Sequence, residues 1–435
     1  MALMNYLSKE ETSKKHHLEL TRKKIKLLKD RLYKKLGYKR LLEISKQDEA
    51  QARSELKVVL EALVNSPDLV DEQFNKELIE DVIDEIIGLG PLESLLKDDS
   101  ITEIMINGTQ SMFYEQGGKL YELENVFSSD EQIKVLIDRI IAPLGRRVDE
   151  ASPLVNARLA NGYRVNVVIS PIALDGSVVT IRKFSDRISS LQELIKLKSI
   201  PQKYAQLLSW AVVMRKNIAV VGSTGSGKTT LLNALSCEIP YDERIITIED
   251  SAELRFKDHP HVVRLERRDK SIEGVGEVSI RDLVINALRM RPDRIVVGEC
   301  RGAETIDMLQ AMNTGHDGSL TTLHAGSPEE AIVRLVLMSR YGINLPADVI
   351  EDQIATALDL IVMQARIPSG ERRVTDLCLV ERKDTGGVGL KKIISYHPES
   401  DSWTIEHIPD FINTLIINNI AEKEEVEAWK NSSFS

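Results

Sequence analysis

From about Ser8 to Asn65, apolar residues recur at helical spacing, as in Ile25, Leu28, Leu32 and Leu36, with charged residues between them. The pattern predicts two or three charged helices, interrupted at Gly37. Glu77 to Ile87 reads as a further amphipathic helix, stopped by Gly88 and the Gly90-Pro91 turn signal. The texture then changes. The runs ITEIMING, SMFYEQ, RVNVVIS and VVTIRKF are β-branched and divided by Gly, Asn and Asp, which predicts a small mixed α/β domain. Ser185 to Ser199 reads as a polar, helical connection. From about Pro201, apolar strands alternate with helices: NIAVV, a helix from Lys228, then RIITIE, RIVVG and SLTTLH. Such alternation implies a parallel sheet with crossover helices. The expected divisions are a helical region over 1–75, an α/β domain over 76–187, and a linker with a second α/β domain over 188–435.

Composition narrows the class. The chain has 435 residues, 42% hydrophobic and 29% charged, which is ordinary for a water-soluble globular protein of two or three domains. Its three cysteines, Cys237, Cys300 and Cys378, are far apart and have no metal-ligand spacing, as expected of a reducing compartment. The start MALMNYLSKEETSKKHH has no signal-like apolar stretch, and no apolar run approaches the roughly 18 residues that span a bilayer. A cytoplasmic protein is expected. The net charge of −10 is uneven: residues 1–47 carry +9 and the remainder −19. The basic end is either a solvated helix face or a docking arm for an acidic surface. The acidic remainder argues against stable nucleic-acid binding.

The most specific signal is Gly222-Ser223-Thr224-Gly225-Ser226-Gly227-Lys228-Thr229, a complete G-x-x-x-x-G-K-[ST] pattern between an apolar strand and the helix TTLLNAL that opens with Thr229 and Thr230. Chance would produce it on the order of 0.02 times in a chain of this size, given ordinary residue usage. Glycines let main-chain amides curl round a phosphate, and the helix N-terminus adds free N–H groups. Lys228 would reach the β- and γ-phosphates of ATP, and the Thr229 hydroxyl would bind Mg2+.

Carboxylates follow at strand ends. RIITI runs into Glu249 and Asp250, with Glu253 shortly after. At the C-terminal edge of a parallel strand they would lie beside the nucleotide and hold Mg2+ or water, Glu249 foremost. RIVV ends in Gly298 and Glu299, and a lone carboxylate there suits orientation of an attacking water. The alternative is a simple pair between Glu299 and Arg301. His316 and His324 flank the strand in GHDGSLTTLHA, without a third ligand at metal-binding spacing. His324 fits a sensor beside the γ-phosphate.

Taken together, GSTGSGKTT, IITIEDSAEL, RPDRIVVGECRGAE and TGHDGSLTTLHA resemble the Walker A, Asp box, atypical Walker B and His box of the type II/IV secretion ATPase superfamily. Gly298 in place of the usual Walker B Asp is ordinary in that superfamily. Upstream, LGPLESLLKDDSITEIMING, GRRVDEASPLVNARLANGYRVN and DGSVVTIRKF resemble the N-terminal domain of CpaF-like ATPases of Flp/Tad pilus systems. The resemblance implies a homo-hexamer of protomers with a PAS-like α/β N-terminal domain and a RecA-like P-loop domain, ATP lying between them. It also implies a motor at the inner face of the cytoplasmic membrane that works on an inner-membrane platform protein of a pilus or secretion machine. Membrane association would be peripheral, through partners. Glu249, Glu253, Glu299, His316 and His324 become the expected active-site set. Arg164, Arg182, Arg289 and Arg291 are candidates to complete the pocket, in cis or in trans. A conjugation or effector-secretion ATPase would share every one of these residues; a RecA-like nucleic-acid motor or a scaffold without turnover fits less well.

Overall fold

A computed structural model describes residues 23–434 apart from 38–39, 42, 45–47, 67–73, 75, 124–126, 128, 145, 160, 184–189, 257–258, 269, 271–274 and 433. The chain divides into two compact units, Met1–Ser185 and Asp186–Ser435. The start of the expected helical region, residues 8–22, lies outside the described residues.

In the first unit, α1 (23–37), α2 (Glu49–Val64) and α3 (Lys76–Ile87) turn their periodic apolar faces inward. Leu28, Leu32, Leu56, Leu60, Val82 and Ile83 form the centre of that cluster. Charged residues between them pair at its rim, Lys29 with Glu85 at 2.5 Å and Lys57 with Glu80 at 2.6 Å. Asp84, buried, takes Arg53 from α2 at 2.6 Å and also Lys97. Gly37 has φ +73° at the end of α1, a conformation that stops the helix there.

The short helix α4 (Glu93–Lys97) leads into β1 (Ile101–Asn107), β2 (Ser111–Gln116) and β3 (Lys119–Leu123). After α5 (Asp130–Ile141) come β4 (Leu154–Arg158), β5 (Arg164–Val168) and β6 (Val178–Arg182). The six strands pair in the order β3-β2-β1-β6-β5-β4, antiparallel throughout. Alternate residues of β1 and β6, Ile104 and Ile106 with Val179 and Ile181, meet Ile133, Ile137 and Ile140 of α5 in one apolar core. The β-branched runs form β1, β2, β5 and β6. β3 is a mostly exposed edge strand and β4 a partly exposed one, which is why their apolar signal is weak.

The second unit begins with α6 (Leu191–Lys196), whose Ser190 and Glu193 make a reciprocal capping box, and α7 (Gln202–Val213). Then follow β7 (Ile218–Val221), α8 (Lys228–Ser236), β8 (Ile245–Glu249), β9 (Val262–Glu266), α9 (Ile280–Ala287), β10 (Arg294–Val297), α10 (Glu304–Asn313) and β11 (Leu320–Leu323). Next come α11 (Pro328–Gly342), α12 (Ala347–Ala357), β12 (Leu360–Arg366), β13 (Arg372–Arg382), β14 (Val388–His397), β15 (Ser402–Ile405), α13 (Phe411–Ile417) and α14 (Lys423–Asn431).

The nine strands have the order β15-β14-β13-β12-β7-β11-β10-β8-β9. Strands from β12 to β9 in that order are parallel, and every residue of β7, β8, β10 and β11 is buried. Helices cover both faces, so these strands read as continuous apolar runs. The sheet is larger than the expected parallel one: beyond β12 it continues as an antiparallel meander. Two of its turns carry glycines at positive φ, Gly370 at +93° and Gly386 and Gly387 at +83° and +78°.

At the N-terminal edge of the parallel strands, the Arg294 side chain is fully buried and bound to Glu243 and, at 3.2 Å, to the Gly318 carbonyl. Gly318 has φ +82°, and a Cβ there would lie 1.7 Å from Arg294 Nη1. Gly318→Ala should therefore cost at least about 2 kcal/mol through overpacking and backbone strain. A lowered denaturant midpoint checks this; an unchanged midpoint contradicts the packing described.

Candidate active site

After β7 the chain turns through Gly222–Gly227 and enters α8 at Lys228. Gly225 and Gly227 have φ of +72° and +100°, accessible at little cost only to glycine. A Cβ on Gly222 would lie 2.1 Å from the Gln364 carbonyl oxygen of β12 and 2.6 Å from Ser226 Oγ. The loop therefore lies against its neighbouring strand with no room for a side chain. Ser223, Thr224 and Gly225 are exposed at the tip and Ser226 is buried. Lys228 folds back so that Nζ donates to the Ser223 carbonyl at 2.9 Å, and burial lowers its pKa. With Thr229 and Thr230 in the first turn of α8, the loop brings a helix N-terminus, a cation and two hydroxyl residues close together. Such an arrangement suits a phosphate.

Strand order brings the other groups beside it. β11 adjoins β7, β10 adjoins β11, and β8 adjoins β10, all parallel. His324, Glu299 and Glu249 consequently stand in a row at the same edge as the loop. His324 Nε2 is 3.4 Å from Lys228 Nζ and 3.1 Å from Glu299 Oε1. The second contact lacks hydrogen-bond alignment, and Glu299 Oε1 is buried without a hydrogen-bond partner among the described residues. Burial and then the Lys228 cation hold the His324 pKa below its usual value, which favours the neutral imidazole. The other oxygen of Glu299 takes Arg301, Nε at 2.7 Å and Nη2 at 2.5 Å.

Glu249 is in a different environment. Its Oε2 accepts the main-chain N–H groups of Glu253 at 2.6 Å and Leu254 at 3.0 Å. Its Oε1 is buried without a hydrogen-bond partner among the described residues. Burial, only partly offset by those two N–H groups, pushes the carboxyl up to about 7 from the ordinary 4.5. Gly298 makes room for it, since a Cβ there would lie 3.1 Å from Glu249 Cγ. Glu253 contributes its main chain to this arrangement. Among the described residues no group of three or more His, Cys, Asp or Glu could hold a metal ion. The Thr229 hydroxyl and the unpartnered Glu249 oxygen are hard donors suited to Mg2+, provided phosphate oxygens complete the set.

Several expected residues are not brought to this edge of the unit. His316 lies in the turn before β11, and the four residues of β11 stand between it and His324. Its carbonyl accepts from Ser319 Oγ at 2.8 Å. Arg289 and Arg291 precede β10 and so lie at the N-terminal edge; Arg289 donates to Ile285 of its own helix segment at 3.2 Å. Closeness in sequence to Glu299 misleads because the strand carries the chain across the sheet. Arg164 and Arg182 belong to the first unit, paired across β5 and β6, with Arg182 Nε 3.7 Å from Glu103 Oε1.

Two residues of the β12–β13 hairpin were not expected. Arg372 Nε donates to the Gly225 carbonyl at 3.1 Å, and Gln364 carries the carbonyl oxygen against Gly222. No local motif marks them, because the P-loop meets them through strand pairing across some 140 residues of chain.

A family model described as Type II/IV secretion system protein matches residues 85–388. The chain belongs to the type II/IV secretion system protein family. Among relatives of this family, a Mycobacterium tuberculosis protein provisionally named for conjugal transfer is 36% identical over 306 residues, covering 69% of this chain and 86% of that protein. The type IV secretion system protein VirB11 of Brucella abortus is 34% identical over 303 residues, covering 63% and 83%. The solved structure of the ATPase DotB from Yersinia pseudotuberculosis shares the fold, with TM-score 0.50 at 16% identity, covering 82% of this chain and 85% of that one. With its parallel sheet and the loop between β7 and α8, the second unit has a RecA-like P-loop fold.

The Glu249 environment makes a pH prediction. Its folded pKa lies above its ordinary value, so the native state holds the proton more tightly between about pH 4.5 and about 7. Stability from this group is full below that window and is lost as pH rises through it, by about 3 kcal/mol in all. Glu249→Gln should remove that slope, gaining stability over the wild type as pH rises. Parallel stability curves for the two proteins across the window would contradict the assignment.

Proposed function

We propose that the chain is a Mg2+-dependent ATPase subunit, a cytoplasmic motor acting at the inner face of the cytoplasmic membrane. The observation that carries this reading is the row of four strand ends that sets Lys228, His324, Glu299 and Glu249 side by side at one sheet edge. The loop amides and Lys228 would bind the β- and γ-phosphates, and Glu299 would orient and deprotonate the attacking water through its unpartnered oxygen. His324, neutral and within reach of both Lys228 and Glu299, would report whether the γ-phosphate is present. Bound Mg2+ would supply charge neutralisation on the phosphate oxygens, held by Thr229 and, directly or through water, by Glu249. Glu253 and His316 remain proposed members of the site.

Family membership supports a homo-hexamer working with an inner-membrane platform protein, with peripheral membrane association through that partner. Among the described residues no helix is long and apolar enough to cross a membrane, which is compatible with that arrangement. Arg164, Arg182, Arg289 and Arg291 remain proposed members of the pocket, in cis or in trans. The first-unit motifs favour assembly of a Flp/Tad type IV pilus. A second reading, secretion or conjugation of the type IV kind, is favoured by the names of the two relatives above. A pilin gene and prepilin peptidase gene beside this one would support the first; relaxase and coupling-protein genes would support the second.

Lys228→Ala should abolish hydrolysis and weaken ATP binding, because it removes the cation held at the start of the helix behind the loop. Glu299→Gln should still bind a fluorescent ATP analogue within a few-fold while turnover falls about 10²–10⁴-fold. Steady-state hydrolysis and equilibrium binding check both. Wild-type turnover in Lys228→Ala would remove the proposal.

A further inference from the structure

Glu299 is held asymmetrically, and the hold comes from a residue the hydrolytic reading leaves without a task. Arg301 places both Nε and Nη2 on the single oxygen Oε2, at 2.7 and 2.5 Å. Its third nitrogen, Nη1, is 4.0 Å from Asp250 Oδ2 at the end of β8. The Arg301 main chain is fixed in turn. Its N–H and that of Gly302 donate to Glu304 Oε1 at 2.7 and 2.8 Å, and Glu304 is the first residue of α10 and buried. Gly302 leaves space for that carboxylate, since a Cβ there would sit 3.2 Å from Glu304 Oε2. The helix start therefore anchors the arginine, and the arginine anchors one oxygen of Glu299.

We propose that Arg301 is a positioning residue for ATP hydrolysis, holding Glu299 Oε2 so that Oε1 alone is presented to the attacking water. This rests on the ATPase reading of the same site. A carboxylate at the end of a short strand can otherwise rotate about its side-chain torsions, and displacement of a reacting group by about 1 Å can cost on the order of 10² in rate. Oε1 is the atom left over: buried, without an aligned hydrogen bond, and 3.1 Å from the neutral His324 ring. The arginine side chain is 64% exposed. As an ion pair it adds little to stability, so its contribution is to geometry. A lysine ammonium is a point charge and lacks the planar guanidinium that sets Nε and Nη2 against one oxygen, Nε donating a hydrogen bond.

The experiment uses the full-length chain, wild type and the variants Arg301→Ala, Arg301→Lys, Glu299→Gln and the double variant Arg301→Ala with Glu299→Gln. Thermal unfolding, ATP-analogue binding and steady-state hydrolysis are measured on each. Arg301→Ala should lower kcat about 10–100-fold with KM within a few-fold of wild type and an unchanged melting temperature. Arg301→Lys should recover part of kcat. Because Arg301 acts through Glu299, the double variant should be no slower than Glu299→Gln alone. A kcat for Arg301→Ala within twofold of wild type overturns the proposal, and so does a further loss in the double variant, which would mean that Arg301 touches the nucleotide itself. A fall in melting temperature that accounts for the lost activity also overturns it. A wild-type protein without hydrolysis would instead refute the ATPase reading beneath it.

Discussion

The site at one edge of the nine-stranded sheet depends on a register set at the other. Asn217, just before β7, accepts the main-chain N–H groups of Gly318 and Ser319 on one amide oxygen, each at 2.9 Å, and donates to the Ala357 carbonyl at 2.6 Å. One buried amide thus ties the starts of β7, β11 and β12. Arg294 at the start of β10 reaches the Gly318 carbonyl at 3.2 Å. Strands begun in step end in step when each is four residues long. Slippage by a single residue would turn every side chain to the opposite face and carry Glu299 and His324 out of line with the loop.

Across the finished edge the ionisable groups have been given different environments. Glu249 lies deep, with one oxygen bound by main-chain N–H groups, and burial pushes its carboxyl up to about 7. Glu299 stands between an arginine fork and a histidine kept neutral by burial and by Lys228. Two carboxylates on neighbouring strands thus meet different surroundings, one capped by main-chain N–H groups and one held by a guanidinium.

Much of this was legible in the sequence, and the reason is local. The P-loop is a contiguous pattern whose glycines the backbone itself demands, and fully buried parallel strands announce themselves as apolar runs. Charged helices of the first unit showed through their period, and α3 begins within a residue of where its pattern does. What stayed hidden was non-local. Arg372 and Gln364 join the cradle only through the pairing of β12 with β7, and the exposed strands β3 and β4 have little apolar signal to read. His316, Arg289 and Arg291 sit close in sequence to strand-end groups, yet the strand between sends them to the far edge.

The bare backbone at Gly298 has a consequence for how this chain could change over evolutionary time. A Cβ at 298 would press on Glu249 Cγ at 3.1 Å, so the two positions share one volume between adjacent strands. An acidic side chain can be housed on β8 or on β10, but a full-length glutamate on β8 crowds the second address. Moving the carboxylate back to the commoner strand would take two substitutions made together, shortening residue 249 as residue 298 grows. Either step alone crosses a crowded or an uncharged intermediate, so residue 298 can grow only as far as the Glu249 side chain gives way, by a few tenths of an ångström.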